Sequence, residues 1–255
     1  MQVVALTDHD NMRGVALFQQ TIQAHEPNVQ VFAGAELSTG RTGSMHILGY
    51  GMTLGHPTIE EVFQKNQMFR TARRERFLAS FAKHNMHFSE DIIRKLQEKT
   101  QFSRPHMAQA LVEAGYVDTI DEAFSRFLKE GCATFVPTET LPPKTVVEAI
   151  TKANGIAVLA HPCRLELSDM ALHALVEELV SYGLRGVEVY HPSASPSAIV
   201  QLLSIAKHYD LLVTGGSDCH GEWNKRKIGE YPSPWPRKAQ DMQRFVQAVT
   251  RVNLQ

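Results

Sequence analysis

ALTDHD, residues 5–10, is an apolar run that ends abruptly in Asp8, His9 and Asp10. Similar runs recur: VVALTD (3–8), VQVFAGAEL (29–37), SMHILGY (44–50), GIAVLAHP (155–162), RGVEVYHP (185–192) and LLVTGGSD (211–218). Most are nearly continuous in apolar residues rather than alternating, which favours strands covered on both faces in a parallel sheet. Helical patterns lie between them, among them NMRGVALFQQTIQAH after Asp10, LPPKTVVEAITKAN before Gly155, SDMALHALVEELVSYG (168–183) and SPSAIVQLLSIAKHYD (195–210). Strand alternating with helix reads as a β/α barrel or a doubly wound sheet.

Residues 57–133 break this rhythm with consecutive helical patterns and no convincing strand, bounded by GHP on one side and VPTETLPP on the other. The expected organisation is therefore a first barrel part (1–56), a helical insertion (57–133) and a second barrel part (134–255). The bulk numbers restrict function only loosely. With 43% hydrophobic and 21% charged residues the composition is that of an ordinary globular protein. A formal net charge of −1 argues against a protein that coats nucleic acid through diffuse positive charge. No run is long enough to cross a bilayer and no signal-peptide pattern opens the chain, so a cytoplasmic location is expected, with no membrane or protein partner implied. Cys132, Cys163 and Cys219 form no C-x-x-C pair, so neither a disulfide framework nor a zinc knuckle is indicated.

The chemistry lies in where the acids and imidazoles fall. Asp8 and His9 follow the first strand, Glu36 the second, His161 the fourth, and Asp218 and His220 the last, while His46 lies within the third. In β/α barrels the C-terminal strand ends gather on one face, so these groups would converge. Neutral imidazole and carboxylate without matched thiolates suit zinc, manganese or iron. Two such cations about 3.5–4 Å apart can clamp a phosphoryl group and activate water. A lone strand-end histidine is ordinarily a hydrogen-bonded loop residue, but recurrence at five strands favours a metal site. Asp10 reads as the cap of the following helix. His56 reads as a loop residue, and His25, His84, His87, His173 and His208 as satisfied groups on or beside helices. Arg70, Arg73, Arg74 and Arg76 read as a solvated helix face or, more sharply, as a track for an RNA backbone. Cys219 is expected to point away from its neighbours Asp218 and His220 or to pack behind them, a role as a soft ligand being the less favoured alternative.

The motifs ALTDHD, GAELS, HILGY, AHP and GSDCH, in this order and spanning nearly the whole chain, resemble the PHP (polymerase and histidinol phosphatase) metal-dependent phosphoesterases. The insertion motifs FSRPHMAQALVEAGY and FLKEGCATFVP resemble the branch of nucleoside 3',5'-bisphosphate phosphatases and 5'-to-3' exoribonucleases. The resemblance implies a distorted (β/α)7 barrel with up to three divalent cations, manganese first and zinc or iron otherwise. It implies that Glu36 bridges two cations, that His46 and His161 complete one and Asp218 serves the other, and that His9 and His220 hold a third. Activated water would attack phosphorus in a nucleotide or a short RNA. Arg104 and His106, in SRPH, would meet the substrate phosphate, although Arg104 also suits the start of a helix. His191 is either a rim contact to phosphate or a strand-end loop residue.

The family pattern opens with a strand carrying H-x-H, and no such segment stands before ALTDHD. The expectation is a barrel without its first strand, holding fewer cations, with only the Glu36–His46–His161 set complete. Two function classes stay open: a phosphoesterase, with histidinol phosphatase as the runner-up within it, and a non-catalytic protein that binds phosphate or nucleic acid.

Overall fold

The structure, a computed structural model, describes residues 2–40, 45–221, 226–232 and 234–252; Ser44, which opens the expected third strand, lies outside them. The six apolar runs form β1 (Val3–Leu6), β2 (Gln30–Thr39), β3 (Met45–Tyr50), β4 (Ile156–Leu159), β5 (Gly186–Tyr190) and β6 (Leu212–Gly215). They make one sheet in sequence order. The β1–β2, β4–β5 and β5–β6 pairs are parallel. The sheet is mostly parallel, as most of the apolar runs suggested, but β3 runs antiparallel to both β2 and β4. The connection between Thr39 and Met45 is far shorter than the dozen or so residues that a parallel crossover needs. An apolar run on a fully covered strand carries no mark of its direction.

The alternation of side chains sorts the sheet into two faces. Ala35, Leu37, Ile47, Leu159, Val187 and Val213 join a core with residues of α6 (Pro143–Lys152), α7 (Asp169–Ser181) and α8 (Pro196–His208). Phe32, Leu48, Tyr50, Ile156, Val158 and Leu212 point the other way and are closed over by Phe245, Ala248 and Val249 of α9 (Lys238–Val252). Further along this second face the apolar residues give way to Glu36, Ser38, His46 and Glu188. One end of the face is thus a sealed apolar plug, and the other is left to polar chemistry.

The helices start where short polar side chains can accept their unpaired N–H groups. Ser168 Oγ accepts from Ala171 at α7, and Ser195 Oγ accepts from Ala198 at α8, where Pro196 occupies the first turn. His56, the loop residue before α2 (Pro57–Lys83), does the same: its Nδ1 accepts from the Thr58 N–H at 3.3 Å and its carbonyl from Ile59 and Glu60. Asp10 is not the cap of α1 (Val15–His25), whose preceding residue is Gly14.

The chain divides into two compact units, one of Met1–Gly40, Ser44–Phe63 and Leu141–Gln255 and the other chiefly of Gln64–Thr140. The second overlaps the segment read as helical from sequence. Among its described residues are most of α2, then α3 (Glu90–Gln97), α4 (Arg104–Glu113) and α5 (Ile120–Ala123), the last continued by a π-helical turn at Phe124–Leu128. Its core contains Phe77, Phe81, Phe102, Met107, Leu111 and Leu128. The arginines of α2 serve this unit internally. Arg73 donates through Nε and Nη2 to the Val136 carbonyl at 3.1 and 2.8 Å, and Arg74 Nη1 reaches the carbonyls of Leu96 and Gln97. Arg70 donates to Phe102 O, and Arg76 pairs with Glu139. Arg73 and Arg74 are buried, so the stretch is neither a solvated face nor a free track for RNA. Among the described residues no helix is long and apolar enough to cross a membrane.

Candidate metal centre

Backbone pairing brings the first two motif residues together. The Asp10 N–H donates to Glu36 O at 3.0 Å and the Glu36 N–H to Asp8 O at 3.1 Å, extending the β1–β2 pairing past β1 and setting His9 beside Glu36. Asp10, buried with φ +49°, uses its carboxylate to fasten this turn: Oδ1 accepts the Ser38 N–H and Oδ2 the Ser38 hydroxyl, each at 2.9 Å. On β3, Ser38 faces His46 and Glu36 faces Leu48, so Glu36 and His46 are diagonal neighbours on one face. Because β3 is antiparallel, its beginning lies at the same end of the sheet as the last residues of β2.

His161 enters from the end of β4. Its backbone has φ +29° and ψ 54°, a conformation L-residues seldom adopt, and its N–H donates to the Glu188 carboxylate at 2.8 Å. That bend turns the imidazole toward Glu36. His46 Nδ1 and His161 Nε2 lie 2.7 and 2.9 Å from Glu36 Oε1 and 3.1 Å from each other. His9 Nδ1 is 3.7 Å from Glu36 Oε2, and His9, Glu36 and His46 present ligand atoms within 4.8 Å of one another. Ligands held about 2.0–2.1 Å from a zinc-sized cation stand roughly 3.3 Å apart in a tetrahedral site. The Glu36, His46 and His161 atoms are gathered at nearly that spacing, so the donor set fits a divalent cation.

The other half is built on Asp218, which also has a left-handed backbone, φ +48°. Its Oδ1 lies 3.4 Å from His220 Nδ1, and its Oδ2 lies 2.9 Å from Arg226 Nη1, 3.3 Å from Arg164 Nη1 and 3.4 Å from His191 Nε2. The halves meet where the His9 and His220 rings approach to 5.6 Å between centroids. His191 has no exposed surface, and its Nδ1 accepts the Ser193 N–H at 3.0 Å. Its Nε2 adjoins Asp218 Oδ2, and its ring is covered in the turn directly after β5, the strand-end position that the sequence left as one of two readings. Cys219 turns away from this cluster and donates to the Arg226 carbonyl at 3.0 Å.

Electrostatics follow from this crowding. Burial pushes the Glu36 carboxyl upward, but His46, His161 and His9 outweigh it and hold the group well below the ordinary carboxylate range. His161 is raised: burial lowers it, and its hydrogen bond and charge pairing with Glu36 prevail. Asp218 is lowered, burial being offset chiefly by the hydrogen bond to His191, while His191 itself is lowered by its burial. Glu188 moves the other way, to about 7, because burial dominates over the favourable His161 contact.

Arg104 and His106 belong to the second unit. Arg104 opens α4 and lies over the Phe124 ring at 5.8 Å; among the described residues no carboxylate pairs with it. His106 closes the start of the same helix, its Nδ1 accepting the Ser103 N–H at 3.1 Å. Motif reading passed over Glu188, Arg164 and Arg226. A glutamate within the apolar stretch GVEVY was a visible anomaly, since an unpaired buried acid is rare. Nothing local marks the two arginines, whose roles depend on contact with Asp218.

No family model matches the chain. It is 29% identical over 221 residues to a 5'-3' exoribonuclease of Haemophilus influenzae, covering 86% of this chain and 80% of that protein. It is 27% identical over 221 residues to a 3',5'-nucleoside bisphosphate phosphatase of Chromobacterium violaceum, covering 86% and 76%. A Bifidobacterium adolescentis protein assigned as a metal-dependent phosphoesterase superposes with a TM-score of 0.76 at 27% identity, covering 96% and 86% of the two chains. The chain thus shares its fold with a metal-dependent phosphoesterase and much of its length with two phosphate-ester hydrolases. It is a homologue of the proteins just named, in agreement with the PHP resemblance of its motifs.

Proposed function

We propose that the chain hydrolyses phosphate esters of nucleotides, acting on nucleoside 3',5'-bisphosphates, on the 5' ends of short RNA, or on both. The observation that carries this reading is the convergence of His46 Nδ1 and His161 Nε2 on Glu36 Oε1, at 2.7 and 2.9 Å. In this reading His9, Glu36, His46, His161, Asp218 and His220 hold divalent cations, with manganese our choice over zinc and iron. Bound there, such cations would make water nucleophilic near neutral pH and offset the charge growing on the phosphoryl oxygens.

The chain's own residues prepare for this. Glu36 stays ionised at the centre, Asp10 and Ser38 fix the strand end that carries it, Glu188 holds the bent backbone of His161, and His191 supports Asp218. The substrate class is supported by the activities named for the Haemophilus and Chromobacterium relatives. Arg104 is proposed as a phosphate contact, supported by a half-buried guanidinium without a carboxylate partner among the described residues. His106, at the same helix start, is proposed as a second phosphate contact. The three free thiols accord with a cytoplasmic location.

The test is manganese-stimulated phosphate release from 3'-phosphoadenosine 5'-phosphate and from a short 5'-phosphorylated RNA. Glu36→Ala should lower the rate by about a hundredfold or more, because it removes the group on which the imidazoles converge. Equal rates for the variant and the unaltered protein would refute the reading and leave a binding protein instead.

A further inference from the structure

Two guanidinium groups from separate segments reach the same carboxylate oxygen. Arg226 Nη1 lies 2.9 Å and Arg164 Nη1 3.3 Å from Asp218 Oδ2. Arg164 follows the bent His161 turn, and its side chain is 52% exposed. Arg226 comes from beyond β6, with its backbone carbonyl held by the Cys219 thiol at 3.0 Å. Its contacts to Ser193 Oγ and His191 Nε2, 3.4 and 3.5 Å, are longer than the one to Asp218. Both guanidiniums thus converge on Asp218 Oδ2.

A guanidinium and a divalent cation are like-charged competitors for one carboxylate oxygen, and at ligand distance they repel strongly. We propose that Arg164 and Arg226 form an exchangeable clamp, which neutralises Asp218 until a divalent cation takes that carboxylate and then closes on a phosphate group of the substrate. The planar fork of a guanidinium matches phosphate as it matches carboxylate, so the same donors serve both states. The anchored Arg226 backbone and the exposed Arg164 stem confine the exchange to side-chain rotation. The clamp rests on the phosphoesterase reading and adds to it a site for the substrate's anionic group, distinct from Arg104.

The experiment measures manganese binding to the purified chain by calorimetry, and then inorganic phosphate binding to the manganese-loaded chain, for the unaltered protein, Arg164→Gln and Arg226→Gln. Each variant should bind manganese about three- to tenfold more tightly, since a competing cation is gone, and phosphate about tenfold more weakly. Opposite signs are the signature. A merely structural role would weaken both ligands together, and any result in folded variants other than opposite signs overturns the clamp. Should Arg226→Gln fail to fold, the half-exposed Arg164→Gln decides alone. An unaltered protein that binds no manganese would overturn the phosphoesterase reading and the clamp with it, whereas normal manganese binding with unresponsive variants overturns the clamp only.

Discussion

Glu188 stands in a strand otherwise made of Gly186, Val187, Val189 and Tyr190, with 5% of its surface exposed. Its carboxylate is what accepts the N–H of the bent His161, so the same residue that is costly to bury also aims a proposed ligand. With a pKa of about 7 against an ordinary 4.5, the folded protein retains a proton that the unfolded chain has already released. The folded state therefore loses stability as pH rises from 4.5 through about 7, by up to about 3 kcal/mol from this group. Glu188→Gln keeps an acceptor for His161 and removes the titration. In protein treated with EDTA, urea unfolding at about pH 5 and about pH 7.5 should show a smaller decline for the variant; equal declines would dismiss the buried acid as the cause. The six residues proposed as metal ligands could be picked out from sequence because acid and imidazole types at strand ends are a local mark. Asp10 was misread as a helix cap because its actual partner, Ser38, lies 28 positions away.

The elements show the same limit at a larger scale. A run of arginines on α2 has the composition of an exposed basic face, and only the neighbouring backbone shows otherwise. Arg73, lowered to about 10 mainly by burial and then by Arg104, Arg70 and Arg76, is held by two donations to the Val136 carbonyl and lies 5.3 Å over the Phe77 ring. Arg73→Ala would strip that carbonyl of its donors and remove packing. It should destabilise the protein by about 2–4 kcal/mol in chemical unfolding, whereas a surface arginine would change stability by less than about 0.5 kcal/mol. The strands were readable from apolar runs, but the direction of β3 was not. That direction puts His46, at the beginning of its strand, level with Glu36 near the end of its own.

For the whole molecule, the proposed ligands come from β2, β3, the residues after β1 and those after β4 and β6, so cation binding in the proposed site would tie together segments far apart in the chain. A ligand that binds only the folded state stabilises it by mass action, by about 2.7 kcal/mol at a hundredfold excess over Kd. Manganese should accordingly raise the melting temperature of the unaltered protein and have little effect on Glu36→Ala. A rise of equal size in both would place the bound manganese elsewhere. The second unit has a hydrophobic core of its own around Phe77, Phe81 and Phe102, which is why its helical patterns could be recognised as a stretch unlike the sheet-forming remainder.

The sequence alone determined the kinds of element, the strand–helix alternation and the residue types available for chemistry, because periodicity and composition act over a few neighbouring positions. Only the tertiary structure decided which way β3 runs, that Asp10 fastens Ser38, that the α2 arginines are internal fastenings, that Glu188 accepts from His161, and that His191, Arg164 and Arg226 adjoin Asp218. Those properties are contacts between distant residues: Glu36 and His161 are 125 positions apart, and Arg164 and Asp218 are 54 apart. Such pairs meet only when the sheet and its connecting turns have set strand direction and register, and no local pattern of residues records that outcome.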